Sequence, residues 1–370
     1  MANMTIVDST KAYERRLRTQ LDGEIVVEDL RRKHEKMAEA PFAFLRATYW
    51  RWAETILQVC PSLAGAPPVL AVGDIHLENF GTWRDIEGRL VWGANDFDEA
   101  AEMPYVIDLL RLGVSAALGY PDADPEVHIC APILKGYARG LADPHAIVLD
   151  QDYAWLRKRT VVSNKERREF WEKIEALTPP KTPPPKRYIE VLRKALPDPK
   201  IKMLVSRRAA GAGSLGRPRW VGAGEWNGGR VVREAKAIVP PAWTLVGGRG
   251  AKAIRCYEIA TGRYRAPDPW YSVSGDIVVR RLSPNNRKIE ADKQPSELTS
   301  AKMLRAMGRD LAAIHLGIAD RRAAIENDLG KRKRNWLVAA VERAAEFVRR
   351  DHGEWKRGYK KQKKAREIAP

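Results

Sequence analysis

Cysteine is scarce in this chain: Cys60, Cys130 and Cys256 are far apart and odd in number, so no disulfide framework or cysteine metal knuckle can be built from them. The six histidines, at 34, 76, 128, 145, 315 and 352, fall at no metal-ligand spacing, and no serine or cysteine nucleophile finds triad partners. No apolar run approaches the roughly 20 residues of a membrane-spanning helix. Met1 to Arg15 carries no apolar signal core, and no internal repeat stands out. These absences predict a cytoplasmic protein with reduced thiols and no membrane span. Acidic residues are also in deficit, 47 against 65 Lys and Arg, for a net charge of +18. Such an excess attracts polyanions. It is densest at Lys331-Arg332-Lys333-Arg334, Lys356-Arg357 and Lys360-Lys361-Gln362-Lys363-Lys364, which read either as a solvated helix face with a frayed tail or as a polyanion contact.

What is present is enough for a large folded core: 370 residues, 44% hydrophobic, with 12 Trp. Polar helices are expected over 1–40, and Pro41-Phe42-Ala43-Phe44 opens an aromatic-bearing helix through Trp50 and Trp52. Strands are expected at Val69–Val72 and Leu90–Trp92, and an apolar helix at Tyr105–Leu118, with further helices over 126–141 and 164–176. The run Pro179-Pro180-Lys181-Thr182-Pro183-Pro184-Pro185-Lys186 is a stiff linker. Beyond it come a strand at Ile201–Arg207, a turn Gly211-Ala212-Gly213-Ser214-Leu215-Gly216, strands at Arg219–Gly222 and Arg230–Ala235, a helix near Ala251–Thr261 and a strand at Ile277–Leu282. The rest of the chain reads as helical, starting with Met303–Leu316. A lone Gly-x-Gly-x-x-Gly is weak, and a dinucleotide fold requires a helix after it, where this chain has strands.

Two short clusters carry the chemistry. Asp74 is followed five residues later by Asn79, within Gly73-Asp74-Ile75-His76-Leu77-Glu78-Asn79, and Asn95-Asp96-Phe97-Asp98 follows a short strand. Taken alone, Asp74 and Asn79 are also what a turn and a helix cap would use. Together with Asp96, and with Asp108-Leu109 behind, the set resembles the aminoglycoside and choline phosphotransferase branch of the kinase-like fold. That resemblance implies Asp74 as the base for an acceptor hydroxyl, Asn79 and Asp96 as Mg²⁺ ligands, and Asp108 as a brace for the loop. Mg²⁺ keeps waters and takes hard oxygen ligands, so one carboxylate and one amide suffice. His76 and Asp98 are accessory candidates, as loop-shaping or substrate-side and as second metal contact. Val72 stands where the branch usually has His.

The resemblance further implies that backbone amides at Gly211, Gly213, Ser214 and Gly216 cover the phosphates of ATP or another nucleoside triphosphate. Arg233 or Lys236 would neutralise them, with Glu258 as the helix partner of that cation. Arg233 is the favoured of the two, since Lys236 would need a bulge to reach the same place. In ordinary kinase-like chains the Gly-rich lobe precedes the catalytic loop, and a Leu-Ala-x-x-His helix end leads into that loop. Here both follow it, the second as Met307-Gly308-Arg309-Asp310-Leu311-Ala312-Ala313-Ile314-His315. The order fits a circularly permuted α+β, protein-kinase-like two-lobe fold. Its parts would be a helical lobe with the catalytic and metal loops (1–178), a Pro-rich linker and helix (179–200), a small β-rich nucleotide lobe (201–290), and C-terminal helices returning to the large lobe with a basic tail (291–370).

The whole set, in this order, resembles a bacterial family filed as domain of unknown function 2252. The resemblance rests on Pro41–Phe44, Gly73–Gly81, Asn95–Glu99, Gly211–Gly216, Arg233-Glu234-Ala235 and the His315 helix. That family usually has Lys where this chain has Arg233. The expected function is an ATP- and Mg-dependent phosphotransferase acting on an unidentified small-molecule or macromolecular acceptor. A nucleotide-binding pseudokinase-type regulator and a basic nucleic-acid-binding protein remain open beside it.

Overall fold

The computed structural model describes residues 4–180, 182–209, 211–246, 253–289 and 295–368. The chain opens with α1 (Ile6–Gln20) and α2 (Val27–Glu39). Asp22 and Gly23 stand between them at φ +47° and +81°, a left-handed pair that ends the first helix. Thr5 caps α1 by accepting the Asp8 N–H at 3.1 Å. Pro41 then starts α3 (Pro41–Ala47), and α4 (Tyr49–Val59) follows.

β1 (Pro68–Ala71) leads into the Asp74 loop, β2 (Phe80–Arg84) leaves it, and β3 (Leu90–Ala94) leads to Asp96. β4 (Ala101–Pro104) pairs antiparallel with β1, closing the segment that holds both clusters. α5 (Val106–Gly119) is buried from Val106 to Leu118. After α6 (Ala131–Ala142), β5 (Ile147–Val148) completes the sheet β2-β3-β5. α7 (Ala154–Thr160) and α8 (Asn164–Glu175) end the first half, the latter with a Ser163–Glu166 capping box.

Past the prolines, α9 (Lys186–Lys194) buries Tyr188 and Leu192 against a five-stranded antiparallel sheet. That sheet contains β6 (Leu204–Arg207), β7 (Arg219–Trp226), β8 (Gly229–Ala237), β9 (Ser272–Ser274) and β10 (Ile277–Leu282), in the order β6-β7-β8-β10-β9. Asn227 and Gly228, both at positive φ, join β7 to β8 in a two-residue hairpin, whose mirror-image turn matches the twist of the strands. Between β8 and β9 lie the short helices α10 (Ala242–Leu245) and α11 (Cys256–Ala260). The helix expected over 251–261 is therefore one turn only, stopping before Gly262, and residues 251 and 252 lie outside the described residues.

The closing helices are α12 (Pro295–Leu298), α13 (Ala301–His315), α14 (Arg322–Lys331) and α15 (Trp336–Ile368). α13 is buried almost throughout and crosses α6 at backbone contact. Gly308 lies so close to the Ile133 carbonyl, and Gly136 to that of Arg305, that a Cβ at either would overlap backbone. α15 contributes Leu337, Val341, Ala344, Val348 and Trp355 to the same core as α5. The architecture is mixed α and β, with most expected elements in place. β2 and β4 were not anticipated, because each is short and is fixed by its neighbour rather than by its own pattern. Among the described residues no helix is long and apolar enough to cross a membrane.

Candidate active site

The Asp74 loop is held from behind by a buried relay. Asp108, in the first turn of α5, accepts the Val72 and Gly73 N–H groups at 2.8 and 2.9 Å. His315, the last residue of α13, stands with Nε2 3.1 Å from the same carboxylate and Nδ1 2.9 Å from the Tyr137 hydroxyl. Asn79 turns its Nδ2 back onto the Asp74 carbonyl, and its own carbonyl accepts the Asn95 N–H at 3.0 Å, tying the first cluster to the second. Asp310 of α13 accepts the Ala94 N–H at 2.7 Å and an Arg265 N–H at 2.8 Å, which fixes the exit of β3 toward Asp96.

Asp74, His76, Asn79, Asp96, Asp98, Gly211, Gly213 and Ser214 line one cavity of about 490 Å³, a size that suits a nucleotide-sized ligand. Gly213 comes close enough that a Cβ there would lie 3.2 Å from Asp74 Oδ2. The other Asp74 oxygen, Oδ1, is taken by the buried Arg111, whose Nε donates at 3.1 Å and whose second terminal nitrogen also donates. Burial raises the Asp74 carboxyl to about 7 against the opposing pull of Arg111. Burial also disfavours the ionised form of Asp96. Lys236, then Lys288 and Arg280, outweigh it and hold that carboxyl well below the usual range. Two neighbouring carboxyls are thus separated, one ready to exchange a proton near neutrality and one permanently charged.

His76 is buried and accepts the Glu78 N–H at Nδ1 (3.2 Å), leaving the proton on Nε2. Burial, then Arg46 and Arg111, keep its imidazole neutral. Glu78 pairs with Arg46 at 2.7 Å. Lys288 also faces the cavity, and burial pulls its ammonium down to about 8.

On β8, period-two alternation decides which basic residue reaches the carboxylates of the second cluster. Lys236 Nζ lies 2.6 Å from Asp98 and 3.4 Å from Asp96, with no bulge in the strand. Arg233, the favoured candidate, falls on the opposite face. Its Nε donates to the Ala195 carbonyl at 2.7 Å, and its guanidinium stands 4.3 Å from the Trp270 ring centroid. Glu258 is not brought to either cation: it is partly exposed on the single turn of α11 and pairs with Arg255 at 2.6 Å. The acid that organises this face is Glu234, fully buried and bonded to Arg208, Arg219 and Arg280. Gly216 belongs to the turn but not to the cavity lining.

Several participants were not singled out from the sequence. Arg111 is one, although a visible signal existed: it and Asp108 are the two charges inside an otherwise apolar helix, and buried charges require partners. Glu99 is another, receiving Arg217 at 2.8 Å and the Ala242 N–H at 2.7 Å. Lys288 gave no local signal, and Glu234, read only as the middle of Arg233-Glu234-Ala235, had no assigned role because its arginine partners lie on or next to other strands.

Among the described residues no three His, Cys, Asp or Glu side chains converge as a ready-made metal site. The donors present do fit a magnesium ion that arrives with phosphate oxygens. Asp96 is held as a carboxylate, and the Asn79 amide, with Nδ2 committed to Asp74, keeps Oδ1 as an acceptor.

Residues 26–143 match the model of a family described as an uncharacterized protein conserved in bacteria (DUF2252). The matched segment runs from the start of α2 to the end of α6, and so contains Asp74, Asn79, Asp96 and Asp108. No curated protein and no solved structure matches the chain.

Proposed function

We propose that this chain is a phosphotransferase that takes a phosphoryl group from a nucleoside triphosphate, most simply ATP with magnesium, and passes it to an acceptor hydroxyl. The observation that carries the reading is the sharing of one cavity by Asp74, the Asn79–Asp96 pair and the Gly211–Ser214 turn, although the turn lies over a hundred residues away in sequence. The acceptor oxygen attacks the terminal phosphorus, its proton passes to Asp74 Oδ2, and the bond to the leaving nucleoside diphosphate breaks. A carboxyl near 7 suits that proton transfer. Magnesium, when bound, neutralises charge on the β- and γ-oxygens. Asn79 and Asp96 would hold it, the Gly-rich turn would lie along the phosphates, and Lys236 and Lys288 would offset their charge.

The same reading takes the fold as a permuted kinase-like one. It is supported by the docking of His315, from the late helix α13, on Asp108, which in turn bonds the Asp74 loop. Arg in place of Lys at 233 is the feature that favours a non-catalytic nucleotide binder. That argument weakens, because Lys236 already supplies an ammonium beside Asp96. Calorimetry of ATP with and without Mg²⁺, on the native chain and on Asp96→Asn, tests the proposal. Magnesium-dependent binding that is lost in the variant is expected. Absence of nucleotide binding in both conditions would sink it.

A further inference from the structure

Two donors that line the cavity stand without acceptors. His76, only 6% exposed, spends Nδ1 on the Glu78 N–H at 3.2 Å, and among the described residues nothing pairs with its Nε2–H. That nitrogen is not sealed in, as the unpaired Tyr49 hydroxyl and Trp50 Nε1 are, so the little surface it shows opens onto the cavity that the ring lines. Lys288, half-buried, lines the same cavity, and among the described residues no acceptor lies within bonding reach of its Nζ. Its place is set by the main chain. Arg287 donates its N–H to Thr82 Oγ1 at 3.0 Å and accepts the Thr82 N–H at 2.9 Å, and Lys288 bridges to Gly81. The segment after β10 is thereby stitched to β2 just where that strand leaves the Asp74 loop.

The nearby carboxylates already have cations. Glu78 pairs with Arg46 at 2.7 Å, Asp74 Oδ1 with Arg111, and Asp96 and Asp98 with Lys236. After burial, Arg46, Arg111 and Lys288 weaken the hold of His76 on a second proton, with Asp96 opposing, so the ring sits in a positive field. An N–H and an ammonium left unpaired in such a place cost desolvation and return nothing until an anion arrives. An oxyanion accepts several hydrogen bonds at once and suits both donors together. His76 belongs to the loop of Asp74, whereas the Gly-rich turn and Lys236 come from the other sheet. An anion bonded to His76 therefore lies on the acceptor's side of the cavity. Lys288, whose ammonium feels both Asp96 and Arg46, stands between the two sides.

We propose that His76 and Lys288 form an oxyanion subsite beside Asp74, so that the acceptor is a hydroxyl compound that itself carries an oxyanion. The proposal rests on the phosphotransferase reading above, and deepens it by naming the acceptor's charge.

The test is titration of inorganic phosphate and of acetate into the full chain, saturated with magnesium and a non-hydrolysable ATP analogue. The native chain is expected to bind at least one of them. A preference for phosphate assigns a phosphate ester as the acceptor class, a preference for acetate a carboxylate, and binding of neither overturns the inference. His76→Leu and Lys288→Met are each expected to weaken the bound oxyanion by roughly tenfold to a hundredfold, the worth of one hydrogen bond to a charged group. His76→Gln, which keeps an N–H donor, is expected to recover part of the loss. Oxyanion affinity in His76→Leu within about twofold of the native chain overturns the inference. So does an equal loss of the ATP analogue in that variant, which would mark general damage. On the native chain alone, the His76 Nε2 nitrogen resonance is expected to shift as the oxyanion binds, and an unmoved resonance also overturns the inference. Should the native chain bind the oxyanion but not the analogue, the nucleotide reading fails while the oxyanion series still judges His76 and Lys288. If it binds neither, both fall.

Discussion

Replacing Arg111 by Met is expected to produce a destabilisation that grows with pH, and its size follows from the geometry around Asp74. Arg111 is fully buried, bonds Asp74 Oδ1 and the Leu45 carbonyl at 2.9 Å, and lies 4.9 and 5.0 Å from the Tyr49 and Trp52 ring centroids. Losing these contacts costs the same at every pH. The remainder depends on the proton of Asp74. In the native chain that carboxyl titrates at about 7, above its ordinary 3.8, so between those values the folded state holds a proton that the unfolded state has released. Stability therefore falls as pH rises through this window and levels off above it. Without Arg111, which pulls the value down, the native titration moves higher and the fall continues. From about pH 7 to about 8.5 the variant goes on losing about 1.4 kcal/mol per unit, for an added penalty of about 2 kcal/mol. The whole cost at the upper pH should then approach the roughly 3–5 kcal/mol of a broken buried ion pair. Urea denaturation of the native chain, Arg111→Met, Asp74→Asn and the double variant at both ends of the range measures this. A penalty equal within about 0.5 kcal/mol at about pH 5.5 and 8.5, or a pH dependence that persists in the Asp74→Asn background, would refute the reasoning.

Arg233→Met should leave nucleotide affinity nearly unchanged, since that side chain faces Ala195 and Trp270, whereas Lys236→Met should weaken it by roughly tenfold or more; isothermal titration of the two variants separates the faces of β8. Anion affinity should decline as pH passes about 8 with the loss of the Lys288 proton, and Lys288→Met should abolish that decline, as read from tripolyphosphate titrations across the range. A chain ending at Tyr359 should keep its thermal stability, while one ending at Lys331 should not fold, because Leu337, Val341 and Val348 of α15 lie in the core. If the basic end contacts nucleic acid, the chain ending at Tyr359 should show a shallower salt dependence than the full chain in DNA and RNA titrations.

The parts of the site that could be read from the sequence are those whose neighbours are close in the chain. Asp74, Asn79 and Asp96 are separated by two short strands, so their convergence follows from one hairpin-like turn of chain. The Gly-rich turn and the His315 helix end lie far off in the chain, and the structure brings Gly211, Gly213 and Ser214 to the cavity and His315 to Asp108. The choice between Arg233 and Lys236 failed because period-two alternation identifies a face only when the strand's ends and its neighbours are known. β8 runs to Ala237, two residues beyond the expected strand, which is far enough to carry Lys236 over Asp96. Glu258 was misplaced for a related reason: its helix is a single turn, too short to project a carboxylate into the sheet. The Glu234 knot draws arginines from β7, from β10 and from the residue after β6, a convergence no local pattern records.

The bond between His315 and Asp108 joins residues 207 apart in the chain. During synthesis at roughly 5–20 residues per second, about 10–40 s pass between the emergence of these partners. Through that interval the Asp74 loop has its floor but not its keystone, and a nascent chain arrested before α13 should leave Val72–Asn79 open to protease. Closure of this loop thus waits until α13 has left the ribosome, and a product truncated before α13 would lack the bond that completes it.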